Sequence, residues 1–415
     1  MARKKTGCTA ASCEPASAAI RLHIAEFMAT LRAAGYSPLT LRSYRAAAAH
    51  FGRWLDLRRI PIRTVDRQVL RSFQRHLSRC QCFPPKNVFG GVVAASKRLV
   101  DHLQAHGVVE PAKPEPSADI PAISKQFAEW MTQYRGAVQL TVLRYQSALQ
   151  PFFEEVGADP RAYTVPSVRG FVIRRLKKRG RPCAYLAVTA LRSFLRFTCA
   201  QGMTTPGLQH SVPAVARWRL SSLPRYLVPE DVNRVVSSCD LSKHGGIRDR
   251  AILLLLARLA LRAGDIVTLT LDDVDWKQGT IRVCGKGRRE ALLPLPQDVG
   301  DALLAYVRDV RPRVATNRVF LTDRAPIKPF SGSSSISQVV HFALDRAGIN
   351  NPPSHGANLL RHSAATSMLR SGSSLEAVGT VLRHRSPQTT AHYAKVDVAM
   401  LRQLAQPWPA GDGAC

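Results

Sequence analysis

Apolar residues recur at helical spacing along most of the 415-residue chain, and breakers divide the pattern into blocks. IAEFMATLRAAG (24–35), SPLTLRSYRAAAAHFGRWLDL (37–57), DRQVLRSFQRHL (66–77) and VVAASKRLVDHLQAHG (92–107) predict the helices of a first module over 21–110, behind a basic tail of residues 1–20. PAKPEPSADIPA (111–122) is rich in Pro and reads as a linker. The helical pattern resumes over 123–205, and PGLQHSVPAVARWRLSSLPRY (206–226), with three prolines and no sustained period, marks a second linker over 206–221. In the last domain, 222–415, Pro229-Glu230-Asp231 opens a helix and RDRAILLLLARLALR (248–262) predicts a helix buried in a core. TIRVCGKGRREALLPLP (280–296) places β-branched and apolar residues around Gly285-Lys286-Gly287 and predicts a hairpin. The expected fold is mainly α, with two helical modules ahead of a domain holding one small antiparallel sheet. Trp276 and Trp408 are expected in the core.

A shift of 101 residues lays Thr40, Tyr44, Ala47 and Phe51 onto Thr141, Tyr145, Ala148 and Phe152. The match suggests that the two helical modules are related, although common amphipathic constraints also produce such matches.

Charge sharpens the picture. The chain has 59 Lys and Arg against 29 Asp and Glu, a formal net charge of +30, and residues 1–220 hold 34 of the basic and 12 of the acidic residues. Such a surplus on the helical half implies a polyanionic partner, with nucleic acid the first choice and an anionic membrane surface the competitor, because neutralising phosphates releases condensed counterions. In VRGFVIRRLKKRGRP (168–182), Arg174, Arg175, Lys177, Lys178, Arg179 and Arg181 gather where a helix is expected to end, and read as a phosphate-tracking surface. Arg42 and Arg45, with Arg53, Arg58 and Arg59, are the equivalents in the first module. No apolar run reaches the ~18 residues of a membrane span. The start MARKKTGCTAASCEPASAA has no apolar segment behind its basic cluster, so a cytoplasmic protein is expected and a membrane is not.

Nine scattered cysteines do not form a secreted disulfide framework. One local cluster, His76, Cys80 and Cys82, with His102 and His106 further on, has the residue types of a zinc site, but CxC with one upstream His is a weak pattern and ordinary thiols at a helix end explain it as well.

The last domain places Arg262 in LALRAGDIVTL, Lys286 in CGKGRRE, Asn358 and Arg361 in GANLLRHSAAT, and His384 and Tyr393 in LRHRSPQTTAHYAKVD. As a set, in this order, they resemble the tyrosine recombinase (phage integrase) family, whose pattern is Arg, a hairpin Lys, HxxR, His or Trp, then Tyr. The resemblance covers most of 222–400. It implies that the two helical modules are SAM-like DNA-binding domains, of arm and core-binding type, ahead of a catalytic domain. The closing AKVDVAMLRQLAQPWP is similar to the ends of integrase-type transposases of mobile elements, and it implies a tail that docks on a neighbouring protomer. The implied reaction is cutting and rejoining of duplex DNA through a 3′-phosphotyrosine, without cofactor or metal, among protomers of a synaptic tetramer, the need for sister recombinases being left open.

The residue types suit that chemistry independently. Negative charge gathers on the non-bridging oxygens of a phosphodiester under attack, and paired guanidiniums such as Arg262 and Arg361 offer planar bidentate donors. Arg361 also lies near a helix start, where free N–H groups favour an anion. Lys286, on a tight Gly-flanked turn, can protonate a leaving 5′ oxygen. Tyr393 would be the nucleophile, and its phenol, with a solution pKa near ~10, needs cationic neighbours or a base. Ser386-Pro387 fits a helix start just before it.

Two positions depart from the family. Asn358 stands where His opens HxxR, and an amide cannot shuttle a proton at neutral pH. Either Asn358 holds the phosphate or Tyr393 by hydrogen bonding in a slower enzyme, or His355 or His362 substitutes as base, or cleavage is lost and DNA binding kept. The first is preferred, because positioning and electrostatics supply more of the barrier reduction than one acid–base group. Arg383 stands where Gly usually precedes the later His, so its backbone must suit a residue with a Cβ. Asp265 matches an acidic family position and is expected to orient a neighbour or to cap a helix. A DNA-binding accessory protein and a type IB topoisomerase are the competing functions.

Overall fold

The computed structural model describes residues 18–78, 80, 89–110, 121–215, 223–285, 290–396 and 401–402. Met1–Pro111 groups with Arg219–Cys415 in one compact unit, and Ala112–Trp218 forms a second. Among the described residues four hydrophobic clusters form, one in each helical module and two in the last domain, the smaller of which includes Ala260, Leu382 and Tyr393.

The first module holds α1 (Ala18–Ala33), α2 (Pro38–Leu57), α3 (Arg67–Leu77) and α4 (Phe89–Ala105). Ser37 accepts the Thr40 N–H and Asp66 the Val69 N–H, so hydroxyl and carboxylate caps start α2 and α3 where the sequence changes phase. Phe27, Phe51, Trp54, Phe73 and Leu99 meet in its core.

The second module holds α5 (Ala122–Gln133), α6 (Gln139–Val156) and α7 (Val165–Ala200). Its order of helix, helix, 3-10 turn and helix repeats that of α1 to α3, and the paired Phe51 and Phe152 are both buried. The sequence predicts a helix ending near residue 180, but α7 runs unbroken through Gly180 and Pro182. Val168, Phe171 and Val172 before them, and Val188, Leu191 and Phe194 after them, are buried in one core, and this packing overrides the breakers. The basic block is therefore inside a helix. Leu208 and Val212, in the stretch read as a linker, are also buried in this core.

The last module contains α8 (Pro229–Ser237), α9 (His244–Ala257), α10 (Ala263–Thr268), α11 (Gln297–Ala305), α12 (Ser333–Arg346), α13 (Asn358–Arg370), α14 (Leu375–Val381) and α15 (Pro387–Thr390), with a 3-10 turn at Ala391–Val396. α9 packs against α8, α11, α12 and α13, which explains why its sequence is apolar all round. β1 (Val274–Asp275), β2 (Thr280–Cys284) and β3 (Glu290–Pro294) form the expected antiparallel sheet, with Ile281 opposite Leu293 and Cys284 opposite Glu290. Trp276, expected in the core, is 45% exposed, because it follows β1 in the turn to β2. Trp408 lies outside the described residues. No described helix is long and apolar enough to cross a membrane.

Candidate active site

The apolar run predicts a helix reaching Arg262, yet α9 ends at Ala257. Ala260 takes a left-handed backbone, φ 49°, which costs a residue with a Cβ about 1–2 kcal/mol and breaks the helix. Two things follow from that turn. The buried Ala260 carbonyl accepts from Arg361 Nη1, and Arg262 becomes the residue that opens α10. Asp265, one turn on, accepts the Arg262 backbone N–H at 3.0 Å and pairs with Arg383 Nη2 at 2.5 Å. Both expected roles of Asp265 are thus combined in one carboxylate.

Arg361 is 5% exposed, in the first turns of α13. Its Nη2 donates to the Leu382 carbonyl at 2.5 Å, and Arg262 Nη2 donates to the same carbonyl at 3.2 Å and to that of Arg383 at 3.0 Å. One carbonyl at the end of α14, where acceptors are free, therefore ties the two guanidiniums together. Burial first, then Arg262 and Arg383, bring the Arg361 pKa down to about 10, so it stays charged at neutral pH while repelled by its neighbours. An anion between the two would relieve that repulsion.

Pro387 opens α15 as expected, although the Ser386 hydroxyl makes no capping bond. The 3-10 turn after it brings Tyr393 beneath α13. The phenol is 2% exposed, and its oxygen lies 2.5 Å from His362 Nδ1. Burial pushes the Tyr393 pKa up to about 12, with Arg361 opposing, so the hydroxyl is protonated at neutral pH. His362 is pulled down to about 4 by burial, then by His392 and Arg361. A neutral imidazole thus faces a protonated phenol within hydrogen-bond reach, the distance that proton transfer requires. His384 stacks on the Tyr393 ring at 6.4 Å between centroids, bonds Thr390 Oγ1 through Nδ1 at 2.9 Å, and is also lowered to about 4 by burial, Arg361 and Arg262.

Arg262, Asn358, Arg361, His384 and Tyr393 line one cleft, with Asp265, His362 and His392. Lys286 lies outside the described residues; Cys284 and Gly285, just before it, line the cleft. Asn358, the first residue of α13, is exposed at its rim. His355 lies against His341, at 3.4 Å between Nδ1 atoms. The residue underweighted by sequence is His362. The sequence offers it only as an alternative base beside His355, and the placement of the Tyr393 turn reveals its partner. Arg383 does not take the backbone expected of a residue with a Cβ: its φ of 52° keeps the left-handed conformation that favours glycine.

Among the residues expected to contact DNA, Arg42, Arg45 and Lys177 are exposed and Arg175 is half-buried. Arg174 is exposed but occupied by the Glu155 carboxylate, its Nε donating at 2.6 Å. The side chains of Lys178, Arg179 and Arg181 lie outside the description.

Residues 225–400 match the phage integrase family. The chain is 37% identical over 408 residues to the integrase/recombinase named y4rA of Sinorhizobium fredii (strain NBRC 101917 / NGR234), covering 95% of this chain and 96% of that protein. It is 34% identical over 231 residues to tyrosine recombinase XerD of Pseudomonas putida (strain KT2440), covering 54% of this chain and 74% of XerD. Among solved structures, XerH site-specific recombinase bound to palindromic difH substrate aligns with a TM-score of 0.55 at 19% identity, covering 69% of this chain and 85% of that one. A lambda integrase (75–356) dimer bound to a COC' core site aligns at 0.52 and 16% identity, covering 66% and 94%. These likenesses show the fold.

Proposed function

Because the chain belongs to the phage integrase family of tyrosine recombinases, enzymes that break and rejoin DNA strands, we propose that its cleft performs site-specific recombination through a covalent 3′-phosphotyrosine intermediate at Tyr393. The scissile phosphate sits between Arg262 and Arg361, whose guanidiniums stabilise the charge that builds on its non-bridging oxygens. The Tyr393 oxygen attacks phosphorus and its proton passes to His362 Nδ1. The bond from phosphorus to the 5′ oxygen breaks, and that oxygen takes a proton from Lys286. Attack by the 5′ hydroxyl of another strand reverses each transfer and rejoins DNA, so the phosphoester energy is kept and no nucleotide is consumed. Asn358 holds a phosphate oxygen by its amide and takes no part in proton transfer.

The observation that carries this reading is the 2.5 Å contact of the Tyr393 hydroxyl with His362 Nδ1, in the cleft that Arg262 and Arg361 also line. The basic helical modules supply the duplex-binding surface, with Arg42, Arg45, Arg175 and Lys177 on phosphates. Solved structures of this fold include a lambda integrase tetramer bound to a Holliday junction, and a synaptic tetramer on double-stranded DNA is proposed for this chain. The element served is a mobile one, whose ends carry the sites.

Purified full-length protein is incubated with nicked duplexes spanning the DNA ends that flank its gene. A protein–DNA adduct resistant to denaturation is expected from wild type and absent from Tyr393→Phe. Binding without any adduct would instead support the accessory role that Asn358 raises.

A further inference from the structure

Away from the cleft, the first module gathers three metal-binding side chains on two elements distant in sequence. His50, 2% exposed, projects from α2, His76 lies in the last turn of α3, and Cys80 follows α3 by three residues. The Nε2 atoms of His50 and His76 are 3.4 Å apart, the Cys80 Sγ is 3.5 Å from His50 Nε2, and all three atoms lie within 4.8 Å of one another. The two separations from His50 fit a bound metal. With zinc bonds of about 2.0–2.1 Å to nitrogen and about 2.3 Å to sulfur, tetrahedral geometry puts two nitrogens about 3.4 Å apart, and a nitrogen and a sulfur about 3.6 Å apart. A direct hydrogen bond between imidazoles would instead draw the nitrogens toward ~2.9–3.0 Å.

We infer that His50, His76 and Cys80 form a structural zinc site that clips the end of α3 to α2. Two imidazoles and a thiolate are a donor set that zinc favours over magnesium or calcium. The described residues supply three ligands, leaving a fourth position to water or a further donor. His102 and His106, the completing residues suggested by sequence, pair with each other instead, rings 4.1 Å apart, and His50 takes their place because α2 passes beside the end of α3. The site lies on an aromatic cluster: the His50 ring is 5.4 Å from Phe73, and the His76 ring is 6.1 Å from Trp54. Binding there adds to the module's folding free energy, since an unfolded chain offers no preformed site.

The test uses the full-length protein, purified in zinc-containing buffer, desalted, and assayed for metal by mass spectrometry. One zinc per chain is expected, falling more than tenfold in Cys80→Ser and in His76→Ala. Because a variant could lose zinc by failing to fold, cobalt(II) is also titrated into apo wild type and into Cys80→Ser, with circular dichroism confirming helix content. Wild type should gain the thiolate-to-cobalt charge-transfer band and tetrahedral visible bands, and folded Cys80→Ser should lack the former. Zinc-free wild type, or variants that keep wild-type stoichiometry or the charge-transfer band, would overturn the site.

Discussion

Asp265, 6% exposed, holds Arg383 at 2.5 Å across 118 residues of chain, while the same carboxylate accepts the backbone N–H of Arg262. That contact fixes both the start of α10 and the turn leading to His384. Asp265→Ala would leave Arg383 buried without its counter-charge and should destabilise the protein by about 3–5 kcal/mol. Arg383→Gly should cost less, because it removes a residue at φ 52° and restores the freedom of glycine there. Urea denaturation of both variants checks the order.

Under the proposed mechanism, His362 and Asn358 divide the work that one histidine does in the family pattern. His362→Ala should slow single-turnover adduct formation by about 10²–10⁴-fold while DNA affinity changes little. Asn358→Ala should slow it by much less. Equal effects, or a larger effect at Asn358, would return proton transfer to the rim position.

The lowered histidines set a pH signature. His362 and His384 both fall from 6.5 to about 4 in the folded protein. Between those values the unfolded chain binds more protons, so the contribution of these residues to stability rises with pH through that window and is lost on acidification. Melting temperature should drop from neutral pH towards pH 4, and folded His362→Gln should show a shallower drop. Cleavage should persist at pH 5 to 6, where an ordinary histidine would already be protonated, and fail near pH 4 as His362 takes up a proton.

Gly379 lies on α14 against Thr390, and a Cβ there would stand 2.9 Å from Thr390 Oγ1. Thr390 is the hydroxyl that bonds His384 at 2.9 Å. Gly379→Ala should therefore displace His384 and lower the adduct rate by about tenfold or more, without touching DNA. Rates measured with saturating DNA separate this from weaker binding.

Much of this was legible in the chain. The helices of the first module, the hairpin at 280–296 and the start at Pro387 follow from periodicity and breakers, which are local. α7 escaped because burial on both sides of Gly180 and Pro182 is a tertiary effect. The end of α9 escaped because Ala260 is an unmarked residue for a left-handed turn. Arg262, Arg361, His384 and Tyr393 could be chosen from their order, whereas the link of Leu382 to both guanidiniums runs through a backbone carbonyl that carries no side-chain signal. His50 escaped because its neighbours His76 and Cys80 lie far from it in the chain.

The most direct measurement is to digest the protein–DNA adduct with nuclease and protease and locate the residual nucleotide by mass spectrometry. The account predicts a nucleotide joined through its 3′ phosphate to the peptide containing Tyr393. A nucleotide on any other residue, or a 5′ linkage, would contradict it.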